Sequence, residues 1–598
     1  MKTFSELKRN AKRGGKGLPS LKMAMVGDVA TQLLCTALKG EGVERGYDLD
    51  VFEGEFGQVE HLFLSPDSEL YTYNPDFIVI FQSTIKLLEK HSLLDTDKQA
   101  TLADDRIDFL TSICENPQLK DKRIICFNYP EIEDTVFGSY SNKVESSFTF
   151  QVRKLNYELM NLSAKHGNLF VCDLSAIQNK MGRDHIFASN IYVSTEMVLN
   201  LDALPVVASR TMDIVCAAKG QFKKCLICDL DNTLWGGVIG DDGMEGIQLG
   251  HGLGIGKAFT ELQEWVRKLK QRGIIICIAS KNDENIAKEP FLHHPDMVLK
   301  LDDIAVFMAN WETKVDNIRH IQSILNISFD SMVFLDDNPF ERNMVRENIK
   351  GITVPELPED PGDYLEYLYS LNLFETASYS ATDKNRTRQY QVEAKRMSLK
   401  NTFENEADFL RSLDMESEVS GFTKFNIPRV AQLSQRSNQF NLRTVRYTES
   451  DCEQMASDAR TIDLCFTLKD KFGDNGLVSI VILKDMGNET LFVDSWIMSC
   501  RVLKRGMENF TLNTLVEIAK DKGYKHIIGE YLPTAKNKMV ENHYSSLGFK
   551  RMEEVGTTCV RYVLDVDDFT PKENFITKNK HLYNGKERID GQTDGNLP

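Results

Sequence analysis

Residues 224–243, KCLICDLDNTLWGGVIGDDG, constrain the fold of this chain more than any other stretch. The apolar run 225–228 reads as a buried parallel strand, because a strand covered on both faces has no need of polar alternation. It breaks off at Asp229, Asp231 and Thr233 and gives way to a glycine-rich turn. Side chains two apart at a strand end share a side, so Asp229 and Asp231 converge beyond the carboxyl edge of a sheet, where doubly wound folds bind ligands. Two carboxylates held together repel unless a cation or a shared proton stands between them, and a hard, oxygen-seeking cation bound together with a phosphate meets that need.

Later positions repeat the pattern. Ser280 closes the apolar run 274–279, Lys314 opens a helical pattern in WETKVDNI, and Asp336-Asp337 follows the apolar run 332–335. In this order, Asp229-Leu230-Asp231-Asn232-Thr233, Ser280, Lys314 and Asp336-Asp337 resemble the four motifs of the haloacid dehalogenase-like (HAD-like) phosphotransferases. The resemblance implies a Rossmann-like core in which Asp229 is the nucleophile and forms an aspartyl-phosphate, while Asp231 gives and later takes a proton. It implies Mg2+ as cofactor, with Asp229, Asp336 and the main-chain carbonyl of Asp231 as ligands and Asp337 one layer behind them. Ser280 and Lys314 would hold the phosphoryl oxygens, Lys314 also offsetting charge on Asp229. Asn232 and Thr233 belong to the same substrate-binding end. The amides of Gly236 and Gly237 either approach a phosphate or serve a solvated loop. Between Thr233 and Ser280 there is room for that loop and one helix, 257–272, so the cap is minimal. An open site of this kind favours a substrate attached to another macromolecule.

The chain has 598 residues, long enough for about four average domains. Its apolar fraction of 42% and charged fraction of 27% are those of a globular protein. A formal charge of −17 argues against nucleic-acid or anionic-membrane binding, both of which need a positive field. No apolar run approaches a membrane span, and the basic start MKTFSELKRNAKRGGKG is followed by no apolar core, so it does not read as a secretory signal. The twelve cysteines are scattered, many inside apolar runs, as in a reducing compartment, and the expected location is cytoplasmic. Cys225 and Cys228 have a CxxC spacing, but without a second pair they read as core residues.

Residues 1–220 alternate short apolar runs (21–26, 77–81, 123–127, 169–172) with helical patterns such as 102–114 and 144–164, which predicts a parallel sheet of flavodoxin type. The turn Gly27-Asp28-Val29 resembles the first block of SGNH-type hydrolases, but Val29 stands where that family has its serine nucleophile. A valine cannot attack a carbonyl, so a catalytically reduced SGNH-like domain is expected. Asp184 and His185 read as a late acid and base pair or as ordinary loop residues. Residues 221–376 make the HAD-like domain. The polar stretch 377–415 reads as a solvated linker helix, and 416–565 as an α+β domain. Within this last part, Asn537, Tyr544 and Gly548-Phe549 resemble the closing motif of GNAT-type acyltransferases, and 501–506 resembles their pyrophosphate-binding turn, with Lys504 where the pattern has glycine. Residues 566–598 are polar and read as a disordered tail. The fold class is thus multidomain α/β with an α+β end.

This order of parts, with the stretches QRSNQFNL, KFGDNGLVSIVIL and MSCRVLKRGME, resembles the FkbH-like proteins over nearly the whole chain. That resemblance implies a bifunctional enzyme of polyketide-type biosynthesis. It takes a glyceryl group from 1,3-bisphosphoglycerate, a phosphorylated three-carbon substrate, removes the remaining phosphate, and passes the glyceryl group to a phosphopantetheinylated acyl carrier protein. The alternative is a Mg2+-dependent phosphatase for another substrate, whose flanking domains only bind. A thioester needs a thiolate, and Cys500 beside Arg501, Lys504 and Arg505 is either the acyl carrier or a half-buried strand-end cysteine. Arg501 and Arg505 are candidate anion contacts, and the basic cluster, extended by Lys536 and Lys538, also suits an acidic carrier protein. Asn438 and Gln439 either order a substrate or close a helix.

Overall fold

Runs of four to eight residues with no polar alternation can be strands only where helices cover both faces, and the first half of the chain is built that way. A computed structural model describes residues 2–379, 386–400, 402–534, 536–552 and 559–579, the side chain of Ser398 excepted. The chain forms two compact units, Met1–Lys219 with Glu375–Ala377, and Gly220–Phe374 with Ser378–Pro598.

In the first unit β1 (Ser20–Gly27), β2 (Asp48–Glu53), β3 (Phe77–Phe81), β4 (Arg123–Phe127) and β5 (Leu169–Cys172) pair in parallel in the order β2-β1-β3-β4-β5. This is the strand order of flavodoxin-type sheets. Strand β2 escaped the sequence reading because DLDVFE alternates polar and apolar residues at the sheet's edge.

The second unit holds two sheets. The central one comprises β6 (Cys225–Cys228), β7 (Ile275–Ser280), β8 (Val306–Ala309) and β9 (Met332–Leu335), parallel, in the order β8-β7-β6-β9. Cys225 and Ile227 face one apolar core and Leu226 and Cys228 another, so the CxxC pair divides between opposite faces. The other sheet contains β10 (Met415–Ser417), β11 (Val419–Ser420), β12 (Thr461–Asp470), β13 (Gly473–Asp485), β14 (Thr490–Met498), β15 (His526–Tyr531), β16 (Lys550–Arg551), β17 (Val560–Asp565) and β18 (Ile576–Lys578). Its strands are mostly antiparallel, but β14 and β15 run parallel and pair only from Thr490 to Val493. A register shift at Ile482/Leu483 bends β14 near Asp494.

Two expectations are corrected here. The stretch read as a solvated linker contains the helix Arg386–Lys400, which is not solvated: Tyr390 belongs to the core beneath the central sheet, and Leu399 packs against the core of the C-terminal sheet. Its charges concealed this, because Arg396 is buried against Glu393 and Asp470. The tail expected to be disordered from residue 566 instead carries β18, which pairs in parallel with β10. Three residues are too short to show a period, so only the ladder reveals the strand. Residues 580–598 lie outside the described residues. Among the described residues no helix is long and apolar enough to cross a membrane.

Candidate active site

Strand β6 delivers Asp229 to the carboxyl edge of the central sheet, and β9, its neighbour in register, delivers Asp336 and Asp337 beside it. Carboxylate oxygens of Asp229, Asp336 and Asp337 lie within 4.8 Å of one another, close enough to share one cation. Across from them the helix Lys314–Leu325 begins, its first turn capped by Thr313, whose hydroxyl accepts from the Asp316 amide at 3.1 Å. The first residue of that helix is Lys314. Its ammonium is 2.5 Å from Asp229 Oδ1, 3.1 Å from Asp336 Oδ2 and 2.9 Å from the Ala279 carbonyl.

The electrostatics follow from burial. Desolvation and the charge on Asp229 push the Asp336 carboxyl up to about 7. Desolvation and the same neighbour raise Asp337 as well. Burial opposes the charge on Lys314, but Asp229 and Asp336 outweigh it and hold the ammonium above its ordinary value. Asp229 Oδ1 and Asp336 Oδ2 are buried with no hydrogen-bond donor aligned on them, although the ammonium is near. A pair of buried, underbonded carboxylate oxygens beside a third carboxylate fits a divalent cation.

The carboxyl group of Asp231 stands outside this cluster. Its Oδ1 accepts from Trp235 Nε1 at 2.9 Å and from the Ile239 amide at 3.0 Å, and its Oδ2 accepts from Asn282 Nδ2 at 3.2 Å. Burial, with Asp229 behind it, raises its pKa, which suits a group that must hold and return a proton. Only its main-chain carbonyl remains as a metal donor.

Several expected contacts are used inside the protein instead. The Thr233 hydroxyl accepts from the Asp337 amide at 3.1 Å and donates to Asp337 Oδ1 at 3.3 Å, so it braces a carboxylate of the cluster. Asn232 has φ 53° and accepts the Gly237 amide on its side chain at 2.9 Å, while the Gly236 amide donates to Gln248 O at 3.1 Å. The two amides expected at a phosphate therefore close the loop on itself. A Cβ at Gly236 would stand 2.8 Å from the Phe259 ring, which explains the glycine by packing. Beyond this loop the cap adds helical turns within Ile239–Gly246, broken at Gly243 (φ 69°), which the glycine spacing concealed. Ser280 is buried at the end of β7. Lys314 points its charge at the protein's own oxygens, so its part here is to compensate Asp229 and Asp336.

Sequence reasoning missed Arg342 and Asn282. Arg342 Nη1 donates to the carbonyls of Asp336 at 2.9 Å and Asp337 at 2.6 Å and so fixes the paired aspartates. Asn282 follows Ser280 by two positions, and the alternation already used for Asp229 and Asp231 was the signal that pointed to it.

The other expected residues lie elsewhere. Arg505 is buried and paired with Asp470 at 3.2 Å and with Glu393, so it is no anion contact. Asn438 donates to the Gly220 carbonyl at 2.6 Å and accepts from Arg446, which is a structural tie. Cys500 is half-buried, its carbonyl accepting from Asn326 at 2.9 Å and its sulfur 3.9 Å from the Tyr390 hydroxyl. It lines a cavity of about 470 Å³ that Arg501 also faces. In the first unit Val29 is buried, Asp28 accepts from the Ser83 amide at 2.8 Å, and Asp184 and His185 are both exposed.

Residues 22–216 match the family model described as FkbH, N-terminal domain. Among solved structures, the N-terminal part of the protein BF1531 from Bacteroides fragilis, containing a phosphatase domain complexed with Mg, is similar at 64% identity, covering 63% of this chain and 100% of that chain, with a TM-score of 0.62. The ribosomal-protein-S18-alanine N-acetyltransferase from Escherichia coli is similar at 16% identity over 25% of this chain and 94% of that chain, with a TM-score of 0.20. The GNAT domain of S. lividans PAT is similar at 17% identity over 25% and 89%, also at 0.20, and scores of that size carry no argument. No curated protein matches the chain.

Proposed function

The chain belongs to the FkbH-like family, and from that premise we propose that it is a Mg2+-dependent phosphatase-type enzyme that takes a glyceryl group from 1,3-bisphosphoglycerate, removes its remaining phosphate and passes the glyceryl group to an acyl carrier protein. The observation that carries the phosphatase part is the convergence of Asp229, Asp336 and Asp337 around Lys314 at the carboxyl edge of the central sheet. The 64%-identical relative, whose phosphatase domain is complexed with Mg, supports the choice of cation.

In this reading Asp229, Asp336 and Asp337 would hold Mg2+, with the carbonyl of Asp231 available to it, and the bound cation would supply positive charge against the phosphoryl oxygens. A carboxylate oxygen of Asp229 attacks phosphorus, the ester P–O bond breaks, and Asp231 gives its proton to the departing alkoxide. Trp235 and the Ile239 amide hold Asp231 in place for that transfer. Asp231 then takes a proton from the water that attacks the aspartyl-phosphate, which releases phosphate and restores Asp229. Lys314 keeps the buried acids from repelling one another throughout.

Acyl transfer falls to Cys500. Its thiolate attacks the carbonyl carbon of the acyl phosphate, the C–O bond to phosphate breaks, and phosphate leaves with the electron pair. The thiol of the carrier protein then displaces Cys500 from the acyl group. Cys500 is suited to this because ten of the twelve cysteines are buried, whereas it is half-buried and faces a cavity.

Intact-protein mass after incubation with Mg2+ and enzymatically generated 1,3-bisphosphoglycerate, with and without a phosphopantetheinylated carrier protein, tests the reading. A thiol-labile glyceryl adduct on the enzyme and then on the carrier is expected, together with phosphate release that EDTA abolishes and Mg2+ restores. Phosphate release with no adduct on either protein would leave a phosphatase acting on another substrate.

A further inference from the structure

The cavity beside Cys500 lies at the opposite edge of the central sheet from the aspartates. Lys224, immediately before β6, lines it, whereas Asp229 immediately follows β6. Five residues of strand at about 3.3 Å each put those two positions about 16 Å apart. The walls come from both sheets of this unit and from the helix Arg386–Lys400 between them, and include Arg386, Arg436, Cys500, Arg501 and Lys536.

Two cations of this cavity, Arg501 and Lys224, have no acid partner among the described residues. Among the described residues that line it, Asp330 is the one acid, and Lys536 pairs with it at 2.6 Å. Arg501 is 8% exposed. It donates to Ser499 Oγ at 3.3 Å, and no carboxylate lies within 4.0 Å of its guanidinium among the described residues. Lys224 donates to the Arg436 carbonyl at 3.0 Å and likewise has no acid partner among the described residues. Burial depresses the Lys224 amine to about 8 and also lowers Arg501. A few residues away, Arg396 and Arg505 share Glu393 and Asp470 in a closed network. The same segment therefore pairs one buried arginine directly with acids and leaves Arg501, facing an open volume, without an ion pair among the described residues; the more distant Glu393 does not offset its burial. A buried cation without a counter-charge is costly, and an anionic ligand removes that cost.

We propose that the cavity between β6, the helix Arg386–Lys400 and the end of β14 is a second anion site, in which Arg501 and Lys224 hold the phosphate of a small phosphorylated carboxylic acid or acyl group next to Cys500. The anion site stands on the geometry above, and the identity of its ligand as the acyl donor's phosphate rests on the glyceryl-transfer reading. Two phosphates are then handled at two edges of one sheet. The thiol is acylated while the distal phosphate is held by Arg501 and Lys224, and the acyl group must leave the cavity before its phosphate can meet Asp229.

The test uses the full chain with 3-phosphoglycerate, a stable phosphorylated three-carbon acid, and inorganic phosphate as probes. Alkylation of Cys500 by iodoacetamide is followed by peptide mass spectrometry, and the melting midpoint serves as a second readout. In EDTA, 3-phosphoglycerate is expected to slow alkylation at least about tenfold and to raise the melting midpoint, in the wild type and in Asp229→Asn alike, with inorganic phosphate weaker. Arg501→Met and Lys224→Met should lose both effects and Arg501→Lys should recover part of them, each variant being checked for unchanged near-UV dichroism. The proposal is overturned if 3-phosphoglycerate has neither effect on the wild type, if a folded Arg501→Met keeps both, or if Asp229→Asn loses them. Protection without any glyceryl adduct would instead sink the glyceryl reading and leave the anion site standing.

Discussion

The two edges of the central sheet carry opposite imbalances. At the carboxyl edge Asp229, Asp336 and Asp337 crowd around one ammonium, that of Lys314, and negative charge is in excess. At the other edge Lys224 and Arg501, which have no acid partner among the described residues, face a cavity in whose described lining the one acid, Asp330, is paired with Lys536. The first surplus suits a divalent cation and the second an anion. A single parallel sheet can support two sites of opposite charge because its strands hold them about 16 Å apart, beyond ion-pair reach of each other.

The largest expected effect comes from breaking the carboxyl edge alone. Asp229→Asn should lower phosphate release by roughly a thousandfold or more, as loss of a nucleophile does, while Cys500 labelling stays at the wild-type rate. Turnover close to wild type in a phosphate assay would remove Asp229 from that role. Lys314→Met should come next. It strands two buried acids, so a loss of about 3 kcal/mol in urea-unfolding free energy is expected, and Mg2+ should narrow the gap by supplying the missing charge. An unchanged unfolding curve in EDTA would mean that the lysine is not needed to balance the acids.

Two arginines four positions apart sharpen the contrast. Arg505→Met leaves Glu393 and Asp470 to Arg396 alone and should cost about 2 kcal/mol, whereas Arg501→Met removes a buried cation that has no acid partner among the described residues and should leave stability unchanged or higher. Equal losses in denaturant melts would show that Arg501 is compensated after all.

The smallest effect is a pH dependence. The Lys224 amine, lowered by burial from its ordinary 10.5 to about 8, gives up its proton in the folded chain while the unfolded chain still holds one. The unfolded state therefore binds more protons between those values, and stability rises with pH across that window. Lys224→Met lacks the term. It should be the more stable protein at pH 7, with the difference shrinking at pH 9.5, and a constant difference in paired denaturant melts would count against a buried, partly discharged amine.

The aspartate edge was legible because each of its parts is encoded locally. An apolar run ends, and the acid at its end points out of the sheet whatever lies elsewhere. What the sequence did not reveal there was support: Arg342 holds the carbonyls of Asp336 and Asp337, and Thr233 holds the side chain of Asp337. The glycine loop misled for a related reason. Its spacing suggested free amides, but those of Gly236 and Gly237 are spent on Gln248 and Asn232, a pairing that depends on how the loop folds back. The helix Arg386–Lys400 misled through its charges, since its own Glu393 and Arg396 read as solvated until Arg505 and Asp470 are seen to meet them.

By itself the sequence determined the parallel alternation of the first half, the order of the acidic motifs and the placing of Asp229 and Asp336 at strand ends, because hydrophobic period and strand-end geometry act over a few residues; the carboxyl of Asp231, expected to converge with that of Asp229, turns instead to Trp235, Ile239 and Asn282. Only the tertiary structure decided which charges neutralise one another. Residues 224, 386, 436, 500 and 501 become one cavity only when two sheets close on a shared helix, and Arg505 and Arg501 part company by which of them reaches an acid. Charge compensation acts across a few ångströms of space with no regard to separation along the chain, so no local pattern of residues can encode it.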